Sequence, residues 1–405
     1  MADEPLPELS GKTPLQAANK PHIEALAKAG RCGRLDTIPA GMHPGSEIAN
    51  LSVLGYDVPA VFEGRGVLEA ASMGVQLEPG DLALRCNLIT LEGENILNHS
   101  AGHISSGEAG ELISFLDKKL GNSNIRFYPG VSYRHLLVIR GGDKFVQCTP
   151  PHDVAGRPFR DYLPGTLKSN LLASDLSGGK LEINTAPLLN YLILRSRYLL
   201  ADHPVNQKRR AEGKDPASCI WPWSPGFRPQ MPTLEEMYGI GKSAAISAVD
   251  LIQGIGVYAG MEVIRVEGAT GLYNTNYEGK AQAAVEALRD HDLVYLHIEA
   301  SDEAGHEGDA LLKTKTIEYL DHRVVKYIVE ECGKMEEPVT IALLPDHPTP
   351  CALRTHTREP VPFIICKPGD KADAVEKYDE FSVVQGSYGL LHGPDFMQAL
   401  LSPKE

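Results

Sequence analysis

Short, mostly continuous apolar runs mark the C-terminal third of the chain, at residues 293–298, 339–344 and 362–366. Continuous apolar runs are typical of strands that are buried on both faces of a sheet. Between the first two runs, over residues 311–332, apolar residues recur mostly at spacings of three to five, which predicts a helix with one buried stripe. Strand, helix and strand in this order form a βαβ unit. The pattern therefore favours a mainly parallel sheet flanked by helices.

Glycine and proline residues mark predicted turns and helix ends in the N-terminal part of the chain. Residues 15–29 are predicted to be helical, and Pro21 either interrupts this helix or starts a second one, because proline cannot donate an interior helix hydrogen bond. Residues 38–51 are predicted to be a turn rich in glycine and proline that leads into a helix. Helices therefore accompany the predicted strands at both ends of the chain.

The middle of the chain has a different pattern of predicted elements. Strand-like pieces at residues 82–91 and 135–140 are separated by loops, and residues 188–201 are predicted to form a helix. Residues 219–226 hold both tryptophans in a proline-rich stretch. This stretch is interpreted either as a rigid linker or lid hinge, or as a direct ligand contact.

Length and composition agree with a division into two domains. At roughly 150 residues per domain, a chain of 405 residues is expected to form two to three domains. With 42% hydrophobic and 23% charged residues, the composition is that of an ordinary globular protein. The simplest division is an α/β core made from residues 1–80 and 240–405, interrupted by a smaller inserted α+β domain of residues 81–239.

Charge and cysteine usage narrow the classes of partner and compartment. The formal charge of -14 argues against a broad surface for nucleic acid or anionic membranes, although it allows a local basic pocket. No apolar run approaches the roughly 18 residues of a membrane span. The seven cysteines are dispersed and form no C-x-x-C pair, and the N-terminus shows no secretory signal. A cytoplasmic location is therefore expected.

Three elements of aspartate and histidine suggest metal chemistry. Asp302 and His306 are four residues apart, so one helical turn would present both to a single divalent ion. Asp346 and His347 follow the run at 339–344, where two adjacent side chains diverge on an extended backbone. His356 precedes the third apolar run. Because ligand-binding residues collect at strand ends in α/β sheets, the three elements together predict a metal site.

Ser46 is a candidate nucleophile. It lies in a turn at the predicted start of a helix, where backbone N–H groups and the helix dipole favour a phosphate. The alternative is that Ser46 is only the N-cap of that helix. A serine hydroxyl beside divalent ions is acidified and can attack phosphorus without a histidine base.

Taken together, these residues resemble the archaeal-type cofactor-independent phosphoglycerate mutases of the alkaline phosphatase superfamily. Besides the three Asp/His elements, the motifs that carry the resemblance are GKTPLQAA (11–18), PGSEIAN (44–50), GRGVLEAA (64–71), ISAVDLI (246–252) and GATG (268–271). They extend over nearly the whole chain. The fold implied is an alkaline phosphatase-like core interrupted by the inserted domain.

The resemblance also implies a two-metal site. The ions are usually manganese, with magnesium, cobalt or zinc as alternatives. One ion would be held by Asp302, His306 and His356, and the other by Asp346, His347 and the oxygen of Ser46. No 2,3-bisphosphoglycerate would be required.

The implied reaction interconverts 3-phosphoglycerate and 2-phosphoglycerate through a phosphoserine at Ser46. The domains would have to close over this intermediate, because water admitted at that stage would turn the mutase into a phosphatase. The inserted domain would act as the lid, with His103, Arg134 and Arg228 binding the substrate carboxylate unless these side chains merely face solvent. The partner expected is a small phosphorylated metabolite, without nucleic acid or membrane, and the oligomeric state stays open.

Two departures from the family pattern leave alternatives open. Family members usually carry an apolar strand ending in Gly-Asp-Gly just before the position of Met1, and its aspartate is a ligand of the second ion. The expectation is either a displaced start or an impaired second site, because Asp3 is not an obvious substitute. Residues 101–104 (AGHI) and 149–153 (TPPHD) look like a bacterial branch proposed to contain homoserine kinases.

The sequence gives the kinase interpretation no further support. Residues 239–243 (GIGKS) lack the first glycine of a phosphate-binding loop, since Glu236 takes its place. A mutase is the leading hypothesis, followed by a homoserine phosphotransferase and a metal-dependent phosphohydrolase of the same superfamily. A non-catalytic protein that keeps the fold is the remaining alternative.

Overall fold

The computed structural model describes residues 1–166 and 184–402. The chain divides into two compact units, a first one formed by Met1–Phe62 and Met231–Glu405 and a second one formed by Glu63–Gln230. Both junctions lie earlier in the chain than the boundaries expected from the sequence. Part of the expected insert, residues 167–183, lies outside the described residues. No described helix is both long and apolar enough to cross a membrane.

Strands and helices are mixed along the described parts of the chain, with several strands directly following one another. In chain order the strands are β1 (Arg31–Asp36), β2 (Asp81–Glu92), β3 (Asn95–Asn98), β4 (Ile125–Tyr128), β5 (Arg134–Arg140), β6 (Val146–Gln147), β7 (Gly165–Thr166), β8 (Cys219–Gly226), β9 (Ser243–Ile246), β10 (Glu262–Val263), β11 (Leu293–Leu296), β12 (Ile341–Leu343), β13 (Val361–Cys366) and β14 (Gly389–His392).

The helices vary from single turns to four turns. They are α1 (Pro14–Ala17), α2 (Pro21–Ala29), α3 (Ser46–Val53), α4 (Val58–Val61), α5 (Arg65–Ser72), α6 (Ser106–Leu120), α7 (Thr185–Leu200), α8 (Pro204–Ala211), α9 (Leu234–Tyr238), α10 (Asp250–Tyr258), α11 (Tyr277–Ala287), α12 (Ala300–Glu307), α13 (Ala310–Tyr319), α14 (Lys326–Cys332) and α15 (Gly393–Leu401). A π-helical segment, Leu320–Val325, joins α13 to α14.

The first unit holds two sheets rather than the single parallel sheet expected from the sequence. One sheet has the order β10-β9-β11 and is parallel throughout. The other has the order β12-β13-β1-β14, in which only β1 and β14 pair in parallel. The predicted βαβ unit is therefore wrong in its pairing: β11 and β12 are edge strands of different sheets and are only half-buried. A continuous apolar run indicates that a strand is buried, but it does not indicate which strand it pairs with or in which direction.

Local signals along the first unit are confirmed. α1 ends at Ala17, and Pro21 begins α2 as a second helix, where its missing N–H is not needed. The predicted helix over residues 311–332 is α13, the π-helical segment and α14 in direct succession. Ile317 of this stretch packs with Leu26 of α2 and Ile364 of β13 in one buried cluster. Ile341 and Leu343 of β12 pack against the same cluster, which anchors the strand that precedes Asp346.

The second unit is built on an antiparallel sheet. β2 is central, with β5 on one side and β8 on the other, and β3 and β4 extend the sheet. The buried faces of α6 and α7 pack in the same core as β2 and β5. This agrees with an α+β arrangement of the middle of the chain.

Residues 219–226 form β8, so the interpretation as a linker or hinge is wrong. Two prolines are tolerated because β8 has β2 as its only neighbour among the described strands, and an edge strand does not need every N–H. Both tryptophans are buried, and their indole N–H groups donate to the Thr149 carbonyl at 2.8 Å and to the Asn87 side chain at 3.1 Å.

Candidate active site

Ser46 is the first residue of α3. The N-cap is Gly45, which makes no side-chain capping bond, so the interpretation of Ser46 as a simple N-cap is wrong. The Ser46 hydroxyl is buried, and its Oγ lies 3.1 Å from Nε2 of His347. The start of α3 adds a positive dipole end beside this hydroxyl, which suits an anion.

The hydrogen bonds around His347 define its tautomer. The Thr349 hydroxyl donates to Oδ1 of Asp302, so its oxygen is left to accept from Nδ1 of His347, 3.3 Å away. Nε2 of His347 is then unprotonated, and the Ser46 hydroxyl donates to it. Burial also lowers the pKa of His347, which favours the neutral ring. A neutral Nε2 facing a serine oxygen is suited to binding a metal ion.

Asp302, His306 and His356 converge at the other side of the site. Nε2 of His306 is 3.2 Å from Asp302 Oδ2, and Nε2 of His356 is 3.5 Å from Asp302 Oδ1. The other nitrogen of His306, Nδ1, lies 3.0 Å from the Arg354 carbonyl, to which it donates. This outer bond directs Nε2 inward. The hydrogen bond to Asp302 raises the pKa of His306 to about 9.

The donor set fits divalent metal ions. Nε2 of His306 and Nε2 of His356 are only 2.9 Å apart, and ligand atoms of Asp302, His347 and His356 lie within 4.8 Å of one another. Asp346 Oδ2 is 3.4 Å from Nε2 of His347, which forms a second group with Ser46. Imidazole nitrogens and carboxylate oxygens that converge in this way are typical of ligands for first-row transition metals.

Asn50 and Tyr295 belong to the site, although the sequence analysis missed them. The Asn50 amide donates to the Ser46 carbonyl at 2.8 Å and to Asp346 Oδ2 at 3.0 Å, and the Tyr295 hydroxyl donates to the Asn50 side-chain oxygen. Asn50 follows Ser46 by four residues on α3, so helical spacing could have identified it. Tyr295 reaches the site only through the placement of β11.

A second group that sequence reasoning missed lies around the end of β11. Nδ1 of His297 is 3.1 Å from the Ser247 hydroxyl, and its Nε2 is 3.3 Å from Glu299. Lys280 of α11 is buried and donates to the Thr270 carbonyl at 3.2 Å. Burial lowers the pKa of Lys280 to about 8, while the Glu299 charge opposes the shift. Thr270 lies in the GATG motif, and Lys280 lies in α11, the helix that follows it. The position of this motif in the chain is the sequence signal for the group.

The second unit contains a group of three neighbouring arginines, Arg65, Arg85 and Arg134, which we call the arginine cluster. The Arg85 guanidinium is buried, pairs with Glu69 at 3.2 Å and lies 5.0 Å from the Trp223 ring centre. Burial lowers the pKa of Arg85, and the charges of Arg134 and Arg65 lower it further. Nε of Arg85 and Nε of Arg134 are buried and have no hydrogen-bond partner among the described residues. Unsatisfied buried guanidinium donors of this kind suit an anionic ligand.

The three sequence-predicted substrate residues are placed differently in the second unit. Arg134, at the start of β5, is half-buried and belongs to the arginine cluster. His103 is exposed and close enough to His99 for its charge to affect the pKa of that ring. Arg228 follows β8 and is exposed. Arg85 and Trp223 were not predicted, because only the pairing of β2 with β8 brings them together.

Comparison with known proteins identifies the family. Residues 27–206 match the model of the 2,3-bisphosphoglycerate-independent phosphoglycerate mutases. A mutase of that name from Methanosarcina barkeri is 47% identical over 407 residues, covering 100% of this chain and 98% of the relative. This chain belongs to that family. A relative from Geobacter sulfurreducens, named a probable mutase of the same kind, is 46% identical over 99% of this chain and 97% of its own length.

Solved structures agree with membership in this mutase family. The PH0037 protein from Pyrococcus horikoshii has 31% identity and a TM-score of 0.80, over 100% of this chain and 96% of that one. A cofactor-independent phosphoglycerate mutase from Thermoplasma acidophilum has 26% identity and a TM-score of 0.63, over 99% and 96% of the two chains. The mixed α/β architecture is therefore shared with a solved cofactor-independent phosphoglycerate mutase.

Proposed function

We propose that this chain interconverts 3-phosphoglycerate and 2-phosphoglycerate without 2,3-bisphosphoglycerate, through a phosphoserine at Ser46. The observation that carries the proposal is the Ser46 hydroxyl, buried at the start of α3 and 3.1 Å from His347, beside two groups of metal-type side chains. Full-length relatives named as mutases of this kind support it. They favour the mutase over the homoserine kinase and phosphohydrolase hypotheses.

The metal proposal assigns the two groups of ligands to two divalent ions. Asp302, His306 and His356 would hold one ion, and Asp346, His347 and the Ser46 oxygen would hold the other. Manganese is the expected metal, with magnesium, cobalt or zinc as alternatives. Ions bound there would acidify the serine hydroxyl and neutralise phosphoryl charge. Asn50 supports the second group, since it binds both the Ser46 carbonyl and Asp346.

In the proposed reaction the phosphoryl group is transferred twice, first to Ser46 and then back to the substrate. Ser46 Oγ loses its proton and forms a bond to phosphorus while the bond between phosphorus and the 3-oxygen of the substrate breaks. The 3-oxygen takes up a proton, which leaves glycerate and phosphoserine. The 2-hydroxyl of glycerate then loses its proton and attacks phosphorus, while the bond between phosphorus and Ser46 Oγ breaks and Oγ takes up a proton. Water must be excluded during this interval, since it would release inorganic phosphate.

We also propose that the arginine cluster of the second unit binds the anionic end of the substrate. Arg85 and Arg134 support this role through their buried, unsatisfied guanidinium N–H groups. His103 and Arg228, which the sequence analysis also proposed, are exposed and remain candidates for peripheral contacts. Bidentate binding of a carboxylate by guanidinium is the chemistry expected.

A coupled assay tests the function. Purified protein loaded with manganese and given 3-phosphoglycerate should form 2-phosphoglycerate, which enolase then dehydrates. Parallel samples with homoserine and ATP, and with 3-phosphoglycerate in a phosphate-release assay, test the kinase and phosphohydrolase hypotheses. Absence of an enolase-detectable product from metal-loaded protein would contradict the mutase proposal, whereas phosphorylated homoserine would establish the kinase.

A variant tests the covalent role of Ser46. Ser46→Ala should abolish turnover and any phosphoenzyme trapped by acid quenching, because no oxygen remains to accept the phosphoryl group. Ser52→Ala, a change of the same kind on the same helix α3, should keep both. Substantial mutase activity in Ser46→Ala would refute the phosphoserine route.

A further inference from the structure

A second cluster of histidine and aspartate lies elsewhere in the first unit. It consists of His22, from the first turn of α2, and of Asp321 and His322, from the π-helical segment between α13 and α14. Nδ1 of His22 is 2.7 Å from Asp321 Oδ2, and Nδ1 of His322 is 3.5 Å from the same oxygen. Three potential ligand atoms therefore converge, and none of these residues takes part in the proposed reaction.

The carboxylate of Asp321 is fully buried and needs charge compensation. Its side chain is 0% exposed, and burying an ionised carboxylate without a partner is costly. The adjacent cation, Arg323, is engaged elsewhere, because it forms two bonds of 2.6 and 2.7 Å to Glu278. The partners that face Oδ2 are the two imidazole rings. A bound divalent ion or a proton on a ring would supply the missing positive charge.

Helix capping involves only one of the two carboxylate oxygens. Oδ1 of Asp321 accepts the backbone N–H of Ile23 at 2.7 Å and so caps α2, whose own N-cap, Lys20, makes no side-chain capping bond. Oδ2 has no part in this cap and is directed at His22 and His322. The π-helical turn that carries Asp321 and His322 is a rare feature, and such turns occur frequently at functional sites.

We propose that His22, Asp321 and His322 bind one divalent transition-metal ion that is separate from the proposed catalytic ions. Two imidazoles and one carboxylate match zinc and its neighbours in the first transition row better than magnesium or calcium. The two histidine side chains are 31% and 44% exposed, which leaves a route for the ion and room for a water ligand. The ion would tie α2 to the helix formed by α13 and α14.

Zinc counting on the intact chain tests the proposal. Wild-type protein and the variants His22→Gln and His322→Gln are dialysed against submicromolar free zinc, and bound zinc per chain is measured by mass spectrometry. His392→Gln is the matched control, since His392 also lies beside an aspartate, 3.7 Å from Asp36. We expect each of the two cluster variants to bind one ion fewer than the wild type and the control.

A third variant guards against misfolding as the cause of zinc loss. Asp321→Asn keeps an oxygen that can cap α2 but removes the charge, so it should fold, lose the same ion and keep the circular dichroism spectrum of the wild type. Zinc should also raise the melting temperature of the wild type more than that of any cluster variant. Equal zinc stoichiometry in the wild type and the cluster variants would overturn the proposal, whatever the outcome of the mutase assay.

Discussion

At the scale of single residues, hydrogen bonds outside the proposed ligand set orient the ligands. The Thr349 hydroxyl donates to Asp302 and accepts from Nδ1 of His347, so one small side chain contacts both proposed metal groups. The Arg354 carbonyl accepts a hydrogen bond from Nδ1 of His306 and so orients that ring. Such outer contacts hold the reactive nitrogen and oxygen atoms toward the centre of the site.

The proposed ligands His306 and His356 should contribute directly to metal affinity. We expect His306→Ala and His356→Ala each to weaken manganese binding strongly, because each change removes an imidazole nitrogen from the first group. Isothermal titration with manganese measures the effect, with His291→Ala as the control, a histidine that pairs with Asp290 and Glu262. Unchanged affinity in both variants would mean that the composition of this group is wrong.

Thr349→Val should weaken manganese binding without unfolding the protein. Valine keeps the shape of threonine but loses the hydroxyl that bridges Asp302 and His347, and loss of an outer contact typically lowers metal affinity by roughly 10- to 100-fold. Thr349→Ser should restore most of the affinity. Thr314→Val, a change of the same kind on α13, should leave it unchanged. If Thr349→Ser binds as weakly as Thr349→Val, the hydroxyl is not the cause.

At the scale of elements, helix α13 anchors the N-terminal segment through a buried ion pair. Lys313 donates to Asp3 Oδ2 at 2.8 Å, to the Ala2 carbonyl at 3.0 Å and to the Thr349 carbonyl at 2.8 Å, and both charged side chains are 0% exposed. The same lysine thus holds the segment that contains Thr349. The arrangement links the packing of α13 to the position of the site.

Lys313→Met should destabilise the first unit by about 3 to 5 kcal/mol, because it leaves the Asp3 carboxylate buried without its cation. Lys315→Met on the same helix removes a largely exposed pair with Glu318 and a cation–π contact with Tyr319, so its cost should stay at about 1 kcal/mol or less. Urea unfolding followed by circular dichroism compares the two. Adding Asp3→Asn to Lys313→Met should recover part of the loss, and no recovery would contradict the pairing explanation.

Strand β5 carries both a proposed substrate residue and its control. Arg134 at the beginning of the strand is half-buried and belongs to the arginine cluster, whereas Arg140 at its end is exposed and pairs with Asp81. Arg134→Gln should raise the KM for 3-phosphoglycerate by roughly 10- to 100-fold, since a charge-assisted hydrogen bond contributes about 1.5 to 3 kcal/mol. Arg140→Gln should leave KM unchanged in the same coupled assay. Equal effects of the two changes would remove Arg134 from the substrate site.

At the scale of the whole molecule, stability should depend on pH through one buried histidine of the second unit. The second unit contains His135, which is 1% exposed in the sheet core. Its Nδ1 accepts the Gly130 N–H at 3.0 Å, and burial lowers its pKa to about 3. Folding therefore keeps this ring neutral.

Acid should unfold the second unit partly through His135. Below pH 6.5 the His135 ring binds a proton in the unfolded chain, whereas in the folded protein it stays neutral down to about pH 3. The free energy of unfolding therefore decreases as the pH is lowered from 6.5 to 3. The wild type should lose on the order of 4 kcal/mol more than His135→Asn between these limits. Urea unfolding at a series of pH values measures the difference, with exposed His392→Asn as control. A variant that is as sensitive to acid as the wild type would contradict this.

Much of the fold and of the site was predictable where the information is local. The helix around Ile317, the start of α2 at Pro21 and the spacing of Asp302 and His306 depend on neighbours along the chain. Strand partners could not be predicted in the same way. β11 and β12 have similar apolar patterns yet lie in different sheets, because the partner of a strand is decided by distant residues.

The residue types and their spacing along the chain define the chemistry that is available: a serine at the start of a helix, three Asp/His elements and an arginine in the middle of the chain. Which of these side chains meet depends on the three-dimensional packing. It brings Ser46 to His347, adds Asn50, Tyr295 and Thr349 around them, and joins Arg85 to Trp223 across two strands. The physical reason is that residue type and helical period are local properties, whereas hydrogen-bond partners and burial arise from packing between elements far apart in the chain.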